Sequence, residues 1–316
     1  MRVLQSADRS ASLYVGHDMH GLLPARLLAS WYRRPLVYHC HDFAESERSL
    51  PLGSRVVRTF ERHFAHTADL VIVPDAERGR EISKQLRLRK PPLVVANAPL
   101  SRSHSSGEAL SQALAVQGRR FGRVVWRQGR IGPGHAIEAT VRSIRFWASR
   151  EWGFVVMGLC DEGYRNFLGR LAAELGVTGQ FAIMPPVPYD RVAEFTTGAH
   201  VGHALYEPIH INHRYYTTAS NKIMEYMAAG LPLLVSDRAG LRSFIQEYQC
   251  GLTADEGSPQ SIADAVNALL GDEELAGRMG AAGAKAFEDE LNYERQFAPV
   301  LQAFRSLTRT SGAHTP

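Results

Sequence analysis

Ser220 to Asp237 reads S-N-K-I-M-E-Y-M-A-A-G-L-P-L-L-V-S-D. Ser220 is a residue type that caps helix N-termini, and Asn221 to Ala229 is built of good helix formers. Gly230 supplies a stop and Pro232 follows it, after which Leu233 to Ser236 forms a short apolar run. The stretch therefore predicts a short helix, a sharp end and a buried strand. Strands that are apolar on both faces belong to parallel sheets covered by helices.

The same alternation extends outward in both directions. Strands are predicted at Ser12 to Val15, Pro35 to His39, Ala68 to Val73 and Pro92 to Ala96, separated by helices at Leu22 to Trp31, Leu52 to His66 and Glu77 to Leu86. Ser101 to Gly118 is rich in Ser, Gly and Gln, and the domain boundary is placed there. A second series follows, with strands at Arg123 to Gln128, Phe154 to Gly158, Gln180 to Met184, His200 to Leu205 and Leu233 to Ser236, and helices between them. Helices at Ser258 to Leu270, Glu273 to Ala286 and Asn292 to Leu307 close the chain. The expected fold class is α/β, with two Rossmann-like, doubly wound domains facing a crevice. The expected limits are residues 1–120 and 121–291, with a terminal helix at 292–316 packing back on the first domain.

Composition narrows the function classes. The 316 residues carry 36 Lys plus Arg against 32 Asp plus Glu, a net charge of +4, and 45% hydrophobic residues. This is globular composition, and so mild a charge does not call for nucleic acid. Neither a signal peptide nor an apolar run long enough to span a membrane is visible, and Cys40, Cys160 and Cys250 are odd in number and far apart. The expectation is a cytoplasmic protein without a disulfide framework.

Two segments carry candidate chemistry. In the first, Lys222 and the free N–H groups at the start of the 221–229 helix suit a diphosphate, and Glu225, one turn further in, suits the two hydroxyls of a ribose. The plain alternative is a solvated helix face. In the second, Gln128 to Glu138 reads Q-G-R-I-G-P-G-H-A-I-E. Gly129, Gly132 and Gly134 let the backbone approach a ligand, and Arg130 presents a cation. The spacing is neither G-x-G-x-x-G nor a P-loop.

Together these segments resemble the retaining glycosyltransferases of family 4 (group 1), which have the GT-B fold. The resemblance rests on G-R-I-G-P-G at Gly129 to Gly134 and S-N-K-I-M-E-Y-M-A-A-G-L-P at Ser220 to Pro232. It is supported by V-P-Y-D-R-V-A-E-F at Val187 to Phe195, A-D-L-V-I-V at Ala68 to Val73 and the pair His41 and Asp42. It implies transfer of a sugar from a nucleotide-diphosphate sugar, with retention, to a saccharide or lipid-linked acceptor in polysaccharide or glycolipid synthesis. The donor is a substrate, so no cofactor and no metal is expected. Arg130 matches the diphosphate-binding arginine and Glu225 the ribose-binding glutamate, with Gly129, His135, Ser220, Asn221 and Lys222 completing the donor side. His41, with Asp42 beside it, matches a histidine near the reacting sugar. Non-catalytic nucleotide or partner binding, and sugar-nucleotide epimerisation, are the alternatives.

The chain departs from the family pattern in three ways. His135 stands where a lysine is usual. The first glutamate of E-x7-E is replaced by Thr217, and the segment Ile209 to Thr218 is expected to supply other contacts. The strand, Gly-rich loop and helix that usually precede the segment matching Leu13 to Asp18, roughly 50–70 residues, are not seen. A first domain truncated in this way would expose a sheet edge, so a homodimer is expected.

His17, Asp18, His20, His39, His41 and Asp42 cluster in sequence. H-C-H-D has the H-x-H form of metallo-hydrolase ligands, but no downstream His and Asp set accompanies it, and no metal is assigned. Arg33, Arg34, Arg55, Arg58, Arg62, His63 and the run Lys84 to Lys90 tilt the first domain basic, which suits contact with an anionic membrane at its inner face.

Overall fold

The computed structural model describes residues 8, 10–43, 51–100 and 106–312. The chain divides into two compact units. The first is Met1–Asn97, His210–Ala219 and Tyr293–Pro316, and the second is Ala98–Ile209 and Ser220–Asn292.

The first unit holds a four-stranded parallel sheet in the order β1 (Tyr14–His17), β2 (Leu36–His39), β3 (Leu70–Val73), β4 (Leu93–Val94). Helices α1 (Asp18–Trp31), α2 (Leu52–Phe64) and α3 (Ala76–Leu86) are the crossovers. Alternate strand residues face opposite ways. Tyr38, Val71 and Val73 pack with Leu22, Leu28, Ile82 and Leu86 on one face, and Val37 and Ile72 pack with Val300 on the other. Val300 belongs to the terminal helix α13 (Tyr293–Gly312), which covers that second face with Phe297 and Phe304.

The second unit holds a six-stranded parallel sheet. Its strands are β5 (Arg123–Gln128), β6 (Trp152–Met157), β7 (Phe181–Met184), β8 (Val201–Ala204), β9 (Leu233–Ser236) and β10 (Gly251–Ala254), in the spatial order β7-β6-β5-β8-β9-β10. This is a doubly wound order whose direction of winding reverses between β5 and β8. The helices are α4 (Glu108–Val116), α5 (Ile137–Ser143), α6 (Glu162–Glu174), α7 (Val192–Thr196), α9 (Asn221–Ala228), α10 (Ala239–Tyr248), α11 (Pro259–Gly271) and α12 (Glu273–Ala286), with the single turn α8 (Ile211–Arg214) in the first unit. All six residues of β6 are buried, as a central parallel strand requires.

Four sequence expectations are corrected. Residues 98–120 group with the second unit rather than the first. The stretch expected to mark the boundary contains α4, whose Leu110 and Leu114 are buried, and Gly107 lies so close to Gly198 that a Cβ on Gly198 would sit 2.3 Å from the Gly107 carbonyl oxygen. Helix α10 and strand β10 fall where no element was predicted. Residues 210–219 belong to the first unit, so the second is not the continuous stretch 121–291. The buried Arg78 guanidinium anchors them by donating to the carbonyls of Tyr215 (2.8 Å), Asn212 (3.3 Å) and, just after β2, His41 (2.8 Å). Thr217 is also engaged, because its hydroxyl donates to the buried carboxylate of Asp75, the N-cap of α3. Finally, Arg58 is not part of a solvated basic face. It is 2% exposed, bonded to Glu61, and its guanidinium lies 3.9 Å from the centre of the Phe43 ring.

Candidate functional site

The carboxyl ends of β5 and β8, where the winding of the second sheet reverses, are the physical expectation for a ligand site. The residues there fall into two linked groups. After β5 the chain turns sharply at Gly129 (φ 97°), whose N–H donates to Met157 O at 2.9 Å. A Cβ on Gly129 would meet Lys222 Nζ at 3.1 Å, so the ammonium group of α9 lies directly against this turn. Gly158, after β6, has φ 154°, and a Cβ there would stand 1.7 Å from Gly129 O. The Gly129–Arg130 turn therefore rests on a backbone surface that tolerates no side chain. Arg130 itself is exposed.

Helix α9 ends as its sequence predicts. Gly230 (φ 72°) donates to Met227 O at 3.0 Å, and Leu231 N–H reaches Tyr226 O at 2.9 Å, the paired bonds of a Schellman stop. Its start differs from expectation. Ser220 has N-cap backbone geometry but makes no side-chain cap bond, and its hydroxyl serves Tyr206 instead. Asn221 is exposed at this helix start.

Tyr206, after β8, is the hub of the first group, and sequence reasoning did not single it out. The His135 ring meets it edge-on with centroids 5.4 Å apart, and Lys222 Nζ lies 5.7 Å from its ring centre. The Arg127 guanidinium, on a residue 1% exposed, lies 4.8 Å from the ring. Arg127 Nη1 also donates to His203 Nδ1 (3.1 Å). A guanidinium can only donate, so His203 carries its proton on Nε2 and gives it to Thr140 Oγ1 (2.8 Å), which passes on to Ala136 O (2.7 Å). Burial and the Arg127 charge hold the His203 pKa well below the usual range, which keeps this relay neutral.

Burial pushes the Tyr206 phenol up. Lys222 and Arg127, with hydrogen bonds from Lys222 and Ser220, outweigh it and bring the phenol down to about 8. Because this acid is stronger in the folded protein than unfolded, its contribution to stability is full above pH ~10 and is lost as pH falls through about 8. Ultraviolet titration is expected to show one phenolate forming near pH 8, absent in Tyr206→Phe and moved upward in Lys222→Met. An unmodified chain that gains no phenolate absorbance below pH ~9 would contradict this arrangement.

The second group lies one turn along α9. Glu225 accepts from Gln128 Nε2 (2.5 Å) and from the Tyr189 hydroxyl (2.9 Å). Burial raises its carboxyl, while these two bonds and Lys222 act in the opposite sense. It borders a recess of about 640 Å³, open solvent included, lined also by Thr196, Ala193 and Ala228. Gln128 is fixed by Trp126 Nε1 (2.5 Å) and Thr196 Oγ1 (2.6 Å) donating to its carbonyl oxygen, which turns its amide nitrogen toward Glu225. Tyr189 lies within the 187–195 string and Gln128 heads the 128–138 string, so both were in view without being assigned a role.

The structure thus brings His135, Ser220 and Lys222 around Tyr206, with Gly129 against Lys222, Glu225 further along α9 and Arg130 on the Gly129 turn. His41 and Asp42 belong to the first unit. There Asp18, at φ 51°, turns its carboxylate to accept the N–H groups of His41 (2.7 Å) and Asp42 (3.1 Å). Asp42 is exposed and accepts from Asn212 Nδ2 (3.2 Å). His17 and His41 stack with ring centres 5.9 Å apart, and the His39 ring lies tilted against both, 3.8 Å from the centre of His41. Burial, then His41 and His17, lower the His39 pKa to about 4.

Comparison with known proteins agrees with this architecture. The family described as "Glycosyl transferases group 1" matches residues 129–286, and "Glycosyl transferase 4-like domain" matches residues 1–98. The D-inositol 3-phosphate glycosyltransferase of Nocardia farcinica is 27% identical over 267 residues, covering 79% of this chain and 56% of its own length. That of Corynebacterium glutamicum is 30% identical over 292 residues, covering 86% and 65%. The chain thus spans little more than half of the first of these relatives. Among solved structures, Anabaena Alr3699/HepE with UDP and glucose superposes with a TM-score of 0.75 at 17% identity, over 96% of this chain and 80% of that one. Sucrose-phosphate synthase from Thermosynechococcus elongatus gives 0.69 at 16%, over 95% and 74%. These likenesses establish the GT-B fold, and the chain belongs to the group 1 glycosyl transferases.

Proposed function

We propose that the protein is a retaining glycosyltransferase that moves a sugar from a nucleotide-diphosphate sugar to an acceptor in polysaccharide or glycolipid synthesis. One observation carries the reading: Glu225, lining its recess, and Lys222, whose ammonium lies against the Gly129 turn, stand three residues apart on one face of α9. A carboxylate for vicinal hydroxyls and a cation for phosphate are then neighbours on the helix surface, with about 5–6 Å between their Cβ atoms. A nucleoside diphosphate has this spacing of groups. Arg130, assisted by Lys222 and His135, neutralises the diphosphate as it leaves, so this step needs no metal. His41 and Asp42 serve the reacting sugar, and the departing phosphate takes the acceptor's proton.

The relatives' name makes D-inositol 3-phosphate the first acceptor to try, and the UDP-bound neighbours make uridine diphosphate sugars the first donors. A thermal-shift screen with uridine, guanosine, adenosine and thymidine diphosphates tests the reading. One of them is expected to stabilise the protein by about 2.7 kcal/mol at a hundredfold excess over its Kd. Glu225→Gln should abolish that shift. A folded protein that responds to none of the four refutes the proposal.

Membrane contact belongs to the same reading. Leu52, Val56 and Phe60 are 78%, 55% and 39% exposed along one stripe of α2, and Leu27 and Trp31 are 52% and 78% exposed on α1, which packs beside it. Exposed Arg33, Arg55 and Arg62 border them. No described helix is long and apolar enough to cross a membrane, so this surface would lie on an anionic leaflet at its cytoplasmic side. Binding to phosphatidylglycerol vesicles is expected, at about 1 kcal/mol per basic residue, lost in high salt and in Val56→Ser/Phe60→Ser. Equal binding to neutral vesicles would refute it.

A further inference from the structure

We infer that His17, His39 and His41 form a binding site for one divalent transition-metal ion on the first unit. Each offers a ring nitrogen, and the three nitrogens lie within 4.8 Å of one another. The topology produces this convergence. His17 ends β1 and His39 ends β2, and the two are direct partners across the parallel ladder. His41, two residues further on, returns to the same sheet end.

The backbone is held for the purpose. The Asp18 carboxylate fixes the His41 and Asp42 N–H groups, and Arg78 fixes the His41 carbonyl at 2.8 Å. Around a tetrahedral ion with bonds of about 2.0–2.1 Å, ligand nitrogens stand about 3.3 Å apart. The rings must therefore close by as much as about 1.5 Å, and His17, which is exposed, has the room to turn. Three imidazoles select zinc, cobalt, nickel or copper over magnesium or calcium, and three protein ligands leave a position for water or a further ligand.

None of these residues belongs to the group around Tyr206 and Glu225, so metal uptake and nucleotide binding are separable. An ion here would also occupy the His41 imidazole assigned above to the reacting sugar. That consequence rests on the proposed function, whereas the binding itself does not.

The test titrates the full chain, stripped by a chelator, with Co2+ and then Zn2+. One equivalent of Co2+ is expected, with the strong visible bands of a tetrahedral nitrogen site, displaced by Zn2+. His39→Gln should abolish the bands, and His17→Gln should weaken uptake at least about tenfold. His213→Gln is the control, since His210 and His213 form another close imidazole pair, with ring centres 3.9 Å apart, and it should change nothing. Melting curves in chelator establish that each variant is folded. If His39→Gln is not, the exposed His17 carries the decision. No uptake by the unmodified chain, or uptake that survives both His17→Gln and His39→Gln, overturns the site.

Discussion

Arg130→Ala is expected to lower kcat by about 10²–10³-fold, the usual cost of removing one fixed group that stabilises developing charge. A nucleoside diphosphate gains negative charge as the glycosidic bond breaks, so a cation aimed at it acts more strongly in the transition state than on the bound donor. The loss should therefore fall on kcat more than on the donor's KM. Arg130 is exposed on the turn after β5, so its removal leaves the core untouched and the variant should melt with the unmodified protein. Arg130→Lys should recover part of the rate, since charge returns without the planar fork. Steady-state kinetics with the donor identified by thermal shift decide the matter. Unchanged kcat in a folded Arg130→Ala chain would remove Arg130 from the chemistry and favour a nucleotide-binding protein that does not catalyse transfer.

Gly158→Ala is expected to destabilise the second unit by about 3 kcal/mol or more, because it combines a strained backbone with a collision in a packed interior. Its φ of 154° is a conformation that side chains rarely adopt, and the added Cβ would sit 1.7 Å from the Gly129 carbonyl oxygen. At about 2–4 °C per kcal/mol for a unit of this size, the midpoint should fall by roughly 6–12 °C. Gly132→Ala, where nothing lies within 4 Å of the added atom, should stay within about 0.5 kcal/mol. Calorimetry of the two variants separates the effects. Comparable midpoints would mean that the turn yields easily and that Gly158 does not support it.

Gly129 and Gly158 show how far the site could be read from sequence. Gly129 stands in a Gly-rich string after a predicted strand, so its role in a close backbone approach was legible. Gly158 follows a different strand, and only the β5–β6 pairing brings its backbone against Gly129. The Lys222 and Glu225 pair was legible because helical spacing puts both on one face. Tyr206 and Arg127 were not, since a tyrosine after a strand and an arginine within one acquire meaning only when β5 and β8 become neighbours. Helix α10 escaped notice because Leu241 and Phe244 are its only buried residues, too few to mark a period.

Local chemistry therefore settled what is local: apolar runs that must be buried strands, Gly230 that must end a helix, a turn built for close approach, and through them the α/β class and the family resemblance. Tertiary structure alone decided which distant segments share a surface. It drew residues 210–219 into the first unit through the buried Arg78, took Thr217 for Asp75 and Arg58 for Glu61, and gathered three histidines at one sheet end. The reason is that dihedral preferences and periodicity act over a few residues, whereas a buried charge or imidazole finds its partner wherever the packed sheet places one.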